Sequence, residues 1–519
     1  MGAARNRYDA GVIVRSRSQP QTRRTASPSA GSRGKAAIAW LLLCVPIPLF
    51  LLGTASPTAQ LNTDELWPTL ALTIYSGTHL AVHYGRGDLR IASVTFWLFV
   101  YVAMSIAVLA EISTGLHSYL EDASTLQEAV FITLVGCIAY DAAQVARSLK
   151  PRRKALAPTI HAIHFGRLNF IGVIGILGSV LYIRDVGLSN FFSSRTDIAS
   201  GLAQGGLTDA SGSQVASAAV GAAVVPLILA WLAWTARLSR DPASRTPGRW
   251  LWYLTMTAFV VIVNNPISSS RYQFLTVTLA AVFCLPNLGK KGMRFIIGGG
   301  VILAITVFPY SDYFRVPAAQ RQPLQVNSIA VELSTKDYDQ MTMIANGIWY
   351  ANLFGHTDGG QLLSDALFFV PHTVWRGRAT DTGVLLAEAM AVQGTNLSAP
   401  LWLEFWLDFS WLGLIVGFLA FGWISSRWDD LFVHLRRQRS SAPAVLDLAL
   451  PLFAGFQFIL LRGSILSSMG RMAVMVVLLL IVRGRPLTAE PAEDPLVDNT
   501  HSRTTASFEP SVTTRRRGR

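Results

Sequence analysis

The residues of this chain best equipped for chemistry are a few arginines, carboxylates and one histidine placed where apolar stretches end. Arg271 follows Ser268-Ser269-Ser270, Arg315 closes Ser311-Asp312-Tyr313-Phe314, Arg376 and Arg378 bracket Gly377 behind Val374-Trp375, and Arg462 and Arg471 flank a short turn near the C-terminus. A guanidinium keeps its charge and presents a planar fork of donors that matches phosphate oxygens, so arginines at a membrane boundary suit recognition of a diphosphate. Any single arginine at a helix end equally snorkels to headgroups or pairs with a nearby acid. The functional reading therefore rests on the set, with Arg376 and Arg378 next to His372.

The stretch Leu401-Trp402-Leu403-Glu404-Phe405-Trp406-Leu407-Asp408 places two carboxylates at i and i+4, on one helical face. At ~1.5 Å rise per residue, Asp408 lies about 10 Å in from Leu401. An ionisable group at that depth needs a wet cavity or a cationic partner; Arg462 or Arg471 is the partner if the role is only an internal ion pair. His372, with an unperturbed pKa near ~6.5, is a candidate proton acceptor, although a lone loop histidine is more often a hydrogen-bonding surface residue. Asp381, in Arg378-Ala379-Thr380-Asp381-Thr382-Gly383, reads as a helix N-cap rather than a catalyst. Asp64-Glu65 is similar to the acidic loop that lipid-linked-sugar glycosyltransferases of the GT-C type use for catalysis, but two adjacent acids in a short loop are common by chance.

Several chemistries lack their motifs. There is no P-loop, Gly-x-Ser-x-Gly elbow, His-Glu-x-x-His or Cys-x-x-Cys. Energy for a reaction must then come with the substrate or from a gradient.

What must position these residues is a set of membrane helices. Of 519 residues, 51% are hydrophobic and 14% charged, and the mean hydropathy is +0.38, more apolar than a soluble core requires. A bilayer core needs about 20 apolar residues per helix. Such stretches fall near 36–54, 66–84, 91–112, 127–147, 168–184, 214–236, 249–265, 270–287, 292–309, 401–424, 445–462 and 466–482, which makes twelve, with eleven or thirteen as neighbouring counts. With an inside N-terminus, 34 of the 44 Lys and Arg fall on inner segments, as cytoplasmic loops require. Both termini are thus expected in the cytoplasm of a bacterial plasma membrane. The net charge of +13 is accounted for by that bias and by anionic inner-leaflet lipid, with no nucleic acid as partner.

Cys44, Cys137 and Cys284 lie inside predicted spans and offer neither a disulfide framework nor metal-ligand spacing. The expected organisation is a disordered basic tail over 1–35, nine spans over 36–309, a long extracytoplasmic loop over 310–400, three spans over 401–482 and a second disordered tail over 483–519. The first span, behind so long a basic stretch, reads as a retained signal anchor. Apolar runs at Met341–Phe354, Leu362–Trp375 and Gly383–Val392 predict short amphipathic helices within the loop, lying on the membrane or re-entering it. The fold class is therefore an all-α polytopic membrane protein. No cofactor and no metal is called for.

The run Phe368-Phe369-Val370-Pro371-His372-Thr373-Val374-Trp375-Arg376-Gly377-Arg378, then Glu404, then Phe409-Ser410-Trp411-Leu412-Gly413-Leu414-Ile415-Val416-Gly417, resembles the bacterial O-antigen and oligosaccharide repeat-unit polymerases of the Wzy type. Ser270-Arg271 and Arg315 also fit that family's pattern. The resemblance spans roughly 255–475 and lies in order and topology rather than in one motif. The arginine-to-glycine spacing of some such polymerases is absent, so it reaches no subfamily.

The resemblance implies a GT-C-like polymerase or ligase architecture. It also implies metal-independent transfer of a glycan from one polyprenyl diphosphate to the end of another on the outer face, without nucleotide sugar. Arg271, Arg315, Arg376, Arg378, Arg462 and Arg471 would bind diphosphate and glycan, and Glu404, His372 or Asp408 would be the base. Implied partners are polyprenyl-diphosphate-linked glycans, membrane lipid, a flippase and a chain-length regulator. The rival readings are an O-antigen ligase, another lipid-linked-sugar glycosyltransferase, for which Asp64-Glu65 is the discriminator, and a lipid-linked-glycan flippase or transporter.

Overall fold

The computed structural model describes residues 30–54, 63–149, 159–192, 213–266, 270–308, 329–334, 338–371, 373–392, 397–438 and 442–487. The described residues are mostly helical. In order the helices are α1 (Ala30–Cys44), α2 (Pro46–Gly53), α3 (Thr63–Arg86), α4 (Ile91–Phe99), α5 (Ala107–Thr114), α6 (Leu126–Leu149), α7 (Phe165–Val186), α8 (Ser213–Arg240), α9 (Pro247–Val263), α10 (Arg271–Cys284) and α11 (Lys290–Thr306). There follow four short helices, α12 (Ile329–Leu333), α13 (Gln340–Phe354), α14 (Gly360–Ala366) and α15 (Thr382–Ala389), and then α16 (Leu401–Gln438), α17 (Leu446–Arg462) and α18 (Ile465–Ile481).

Each apolar stretch of the sequence overlaps a helix. Among the described residues five segments are long and apolar enough to cross a membrane, namely Ala30–Gly53, Ile91–Thr114, Ala123–Leu149, Phe165–Val186 and Leu401–Gln438; Arg271–Cys284 and Ile465–Ile481 are shorter apolar helices. Their outward faces are hydrocarbon, with Leu41, Leu42, Phe50, Phe170 and Leu412 exposed, a surface suited to lipid and costly in water.

The all-α expectation holds, with one short ribbon added to it: β1 (His161–Ile163) and β2 (Arg483–Pro486) pair antiparallel, so part of the predicted C-terminal tail is a strand. The predicted N-terminal tail also ends early, because α1 already begins at Ala30.

Ile91–Thr114 is the axis of the larger core. All of it that is apolar is buried, and a π-helical stretch, Val100–Ile106, separates α4 from α5; such a bulge widens a helix by one residue and is enriched near functional sites. Phe96 stacks on Tyr140 of α6 at 3.7 Å, and Trp402 of α16 stacks on Phe96 at 5.9 Å. A second core joins α7, α8 and α9 to faces of α10, α17 and α18. Without a water-driven incentive to associate, such helices depend on close backbone approach. Gly422 lies against Tyr140 O and Gly455 against Thr276 O, where an added Cβ would stand at 2.2 and 2.5 Å.

The bundle has two chemically different ends. At one, Asp429 of α16 accepts Ala92 N at 2.8 Å, Ser93 N at 3.1 Å and Ser93 Oγ at 2.5 Å, capping α4. There too Arg240 forks onto Asp447 at 2.6 and 2.8 Å, and the β1–β2 ribbon meets Ala444. The segments beginning at Ile91, Leu446 and Lys290 start at this end, alongside Arg86, Arg90, Arg147 and Arg294. The other end carries α13, α14 and α15. Rather than lying on a membrane surface, α13 is inserted, with every residue from Gln340 to Ile348 buried against α6 and α16.

Candidate active site

The stretch read from sequence as the start of a tenth span is a separate short helix. Within α16 the backbone leaves helical geometry at Phe409 (φ −138°, ψ 25°) and Ser410 (φ 51°, ψ −144°). A non-glycine residue in that region is strained and persists only where its surroundings hold it. The break turns residues 401–408 into a unit distinct from the long helix that follows. Glu404 and Asp408 thereby join the short helices rather than a continuous span.

Asp408 is 3% exposed and pairs with no arginine among the described residues; it holds the start of α14. Its Oδ1 accepts Thr357 Oγ1 at 2.6 Å and Gln361 N at 3.1 Å, and Oδ2 accepts Leu362 N at 2.7 Å. These are the N–H groups that a helix start leaves without intrahelical partners. Thr357 N in turn donates to Leu407 O at 3.0 Å, tying the two short helices end to end. The geometry makes Asp408 a clamp for α14, and the ion pair with Arg462 or Arg471 is not formed.

Glu404, 2% exposed, has an Oε1 with no hydrogen-bond partner. The Thr382 hydroxyl is buried close to it but closes no hydrogen bond of acceptable geometry. Three further carboxylates, Asp365, Asp381 and Asp408, act on it electrostatically. Asp365, on α14, is 3% exposed and its Oδ2 is likewise unpartnered. Burial, the Asp408 and Asp381 charges, and only partial relief from Arg378 push its pKa up to about 7.

Asp381 caps α15 through Gly383 N at 2.9 Å, as its sequence context predicts, and also accepts the Ser464 hydroxyl. Burial raises its pKa, with the Ser464 and Gly383 donors opposing. Nearby, Asp339 accepts Ser398 Oγ at 2.8 Å. Ala399 N donates to Arg462 O at 3.1 Å, so α13, α15, α16 and the α17–α18 turn meet at one junction.

The arginines separate into groups. Arg271 is buried at the start of α10, donates Nη1 to Phe308 O at 3.2 Å and lies over the Phe308 ring at 5.3 Å. Arg462 lies over Tyr272 at 4.8 Å, and Tyr272 packs edge-on against Phe308 at 5.6 Å. Arg271 and Arg462 thus share one aromatic pair. Arg378 donates Nη1 to Val370 O at 2.9 Å, while its buried Nε has no partner. Arg376 is exposed on the same turn, and Arg471 is half-buried two turns into α18. Arg315 and His372 lie outside the described residues.

Sequence reading missed Asp365, and with it the carboxyl pair at the junction. An acid in the midst of an apolar loop stretch has no spacing relation to Glu404; only the fold joins them. Two other groups did carry a signal, because an ionisable residue inside a predicted span is a functional candidate by default. Asp141 of α6 accepts Tyr75 Oη at 3.3 Å and faces His79 at 3.7 Å. His79 is stacked on Trp97 at 3.9 Å. Glu111, buried at the end of α5, faces His117 at 3.8 Å beside a small cavity that Glu65 and Met341 also line; Asp64 sits exposed in the first turn of α3.

Among the described residues no group of three or more His, Cys, Asp and Glu side chains is placed to hold a metal ion. No family model matches the chain, and neither a curated protein nor a solved structure matches it.

Proposed function

We propose that this protein is a membrane glycosyltransferase that joins polyprenyl-diphosphate-linked oligosaccharide repeat units on the outer face of a bacterial plasma membrane, through twelve spans with both termini inside. The observation that supports it most is the junction itself. Buried carboxylates with unpartnered oxygens, Asp365 beside Arg378 and Glu404 on the 401–408 helix, lie at the end of the bundle opposite the basic one.

Transfer from a lipid diphosphate needs fixed positive charge where the leaving group gains negative charge, and a base for the attacking hydroxyl. Arg271, Arg462, Arg376 and Arg378 suit the first need, and a junction carboxylate suits the second. Sidedness follows from the charge bias, since the 310–400 segment falls outside when the Arg- and Lys-rich loops face the cytoplasm.

The test is reconstitution of the purified protein with defined lipid-linked repeat units. Ladders of lengthened lipid-linked glycan are expected, weakened by Arg462→Ala and Arg378→Ala and unaffected by Asp64→Ala. Loss of activity in Asp64→Ala with the arginine variants intact would move the assignment to the acidic-loop glycosyltransferases. A transport reading is favoured by one specific observation, the Tyr75–His79–Asp141 group within α3 and α6. Counterflow of lipid-linked glycan without lengthening would establish it instead.

A further inference from the structure

α5 ends at Gly115, whose φ of 68° is left-handed, and the chain turns into the loop that leads to α6. There His117 folds back on the helix it has just left, with Nδ1 3.8 Å from Oε2 of Glu111. Glu111 is buried, and the Thr342 hydroxyl of α13 reaches the same oxygen at 3.5 Å. A carboxylate so placed is costly unless a cation or a donor meets it. Glu65 of α3 and Met341 of α13 line the small cavity beside the pair. A fifth of the His117 side chain stays open to solvent, so a proton reaches the imidazole without the bundle opening.

The same loop holds α13. Asn346, fully buried on α13, donates Nδ2 to Tyr119 O at 2.7 Å and accepts Glu121 N at 3.1 Å, and Thr125 Oγ1 donates to Ala345 O at 3.1 Å. Tyr119 has a φ of 62°, a left-handed conformation that costs a residue with a side chain free energy and lasts only where its neighbours hold it. Asn346 grips it directly, and the His117–Glu111 contact anchors the chain two residues before it. At its other end α13 begins at Asp339, which accepts Ser398 Oγ at the junction. The seating of α13 thus connects this loop with the junction.

We propose that His117 and Glu111 form a proton-operated latch that fastens α13 into the bundle, closed while the imidazole is charged and released when it is neutral. The charged groups that face His117 are Glu111 from α5 and Glu65 from α3, and Asp339 at the start of α13 acts on Glu111. α6 meets the cavity through Leu126 and Val130. Of the other elements packed on α5, α2 has no ionisable residue, α12 has only Glu332, and the π-helical stretch has only Tyr101, which donates to Leu43 O at 2.8 Å. Burial disfavours the imidazolium, but the carboxylates of Glu111 and Glu65 outweigh it. The latch is therefore complete below the ordinary histidine range and is lost as pH rises through the folded-state value.

The experiment is amide exchange of the purified full-length protein from about pH 5 to about pH 9, which brackets the ordinary histidine value, with each rate taken relative to an unstructured peptide at the same pH. No substrate is needed. Protection over 339–349 should be highest at the acid end and fall about threefold or more across the range. His117→Gln and Glu111→Gln should each flatten that profile. His117→Lys, whose charge persists to higher pH, should keep the acid-side protection to the alkaline end, an outcome that mere loss of the ring would not produce. Wild-type protection over 339–349 that does not vary with pH, or a His117→Gln profile that falls as the wild type's does, would overturn the latch.

Discussion

Replacing Asp408 by Asn separates a clamp from a catalyst. The carboxylate accepts Thr357 Oγ1, Gln361 N and Leu362 N at 2.6 to 3.1 Å from a site 3% exposed to solvent. An amide keeps one acceptor oxygen and sets an NH2 group against the N–H or hydroxyl on the other side. One charge-assisted bond is lost, at about 1.5–3 kcal/mol, and one buried donor is left unmet, at about 1–3 kcal/mol. Together they weaken the docking of α14 by about 2.5–6 kcal/mol, which is ~10²- to 10⁴-fold in a local opening equilibrium. Amide exchange reports such openings segment by segment. In Asp408→Asn, peptides covering 357–367 should exchange ~10²- to 10⁴-fold faster, while those from α10 and α17 stay as in the wild type. Unchanged protection over 357–367, within threefold, combined with lost turnover would refute the clamp and return Asp408 to the role of base.

Three other perturbations follow from the packing. Gly455→Ala drives a Cβ to 2.5 Å from Thr276 O, so α10 and α17 must part, at about 1–3 kcal/mol; a lowered thermal midpoint is expected, with Gly470→Ala, which meets nothing within 4 Å, as the unaffected comparison. Arg240→Met strands the Asp447 carboxylate, 4% exposed, and should cost about 3–5 kcal/mol, part of it recovered on adding Asp447→Leu; denaturation in detergent reads both. Burial alone would lower the pKa of His117, but the Glu111 carboxylate 3.8 Å away and the charge of Glu65 outweigh it and hold the imidazole above its ordinary value. A raised folded-state pKa gives stability that is complete below the unfolded value of about 6.5 and lost as pH rises through the folded one; the thermal midpoint should fall over that window in the wild type and less in His117→Gln.

The helices were legible because their cause is local. Hydropathy over some twenty residues records the need to satisfy backbone groups inside a bilayer, and that need leaves a trace at Phe165–Val186 or Ile465–Ile481 whatever the partners are. Breaks were not legible. The π-helical Val100–Ile106 and the Phe409–Ser410 reversal interrupt sequences as apolar as their surroundings; the break at Val45 is the exception, since Pro46 and Pro48 follow it. Asp381 could be placed as a cap from its neighbours alone, since capping is satisfied within two residues.

Asp408 illustrates the opposite case. Its i to i+4 relation with Glu404 indicates a shared face, and on a straight helix that face would have needed an arginine or water at depth. The reversal at Ser410 changes the problem. With 401–408 turned off the span that follows it, the two carboxylates face α14 and α15 rather than the continuation of one straight helix. One is satisfied by the N-terminus of α14, across 46 to 51 positions of sequence. The other is left beside Asp365 with an oxygen to spare. The strained residue, the clamp and the unpartnered pair are thus consequences of one another. A substitution that relaxes Ser410 into a helix would remove all three together, and that shared dependence is why the site emerges from the fold rather than from any run of residues.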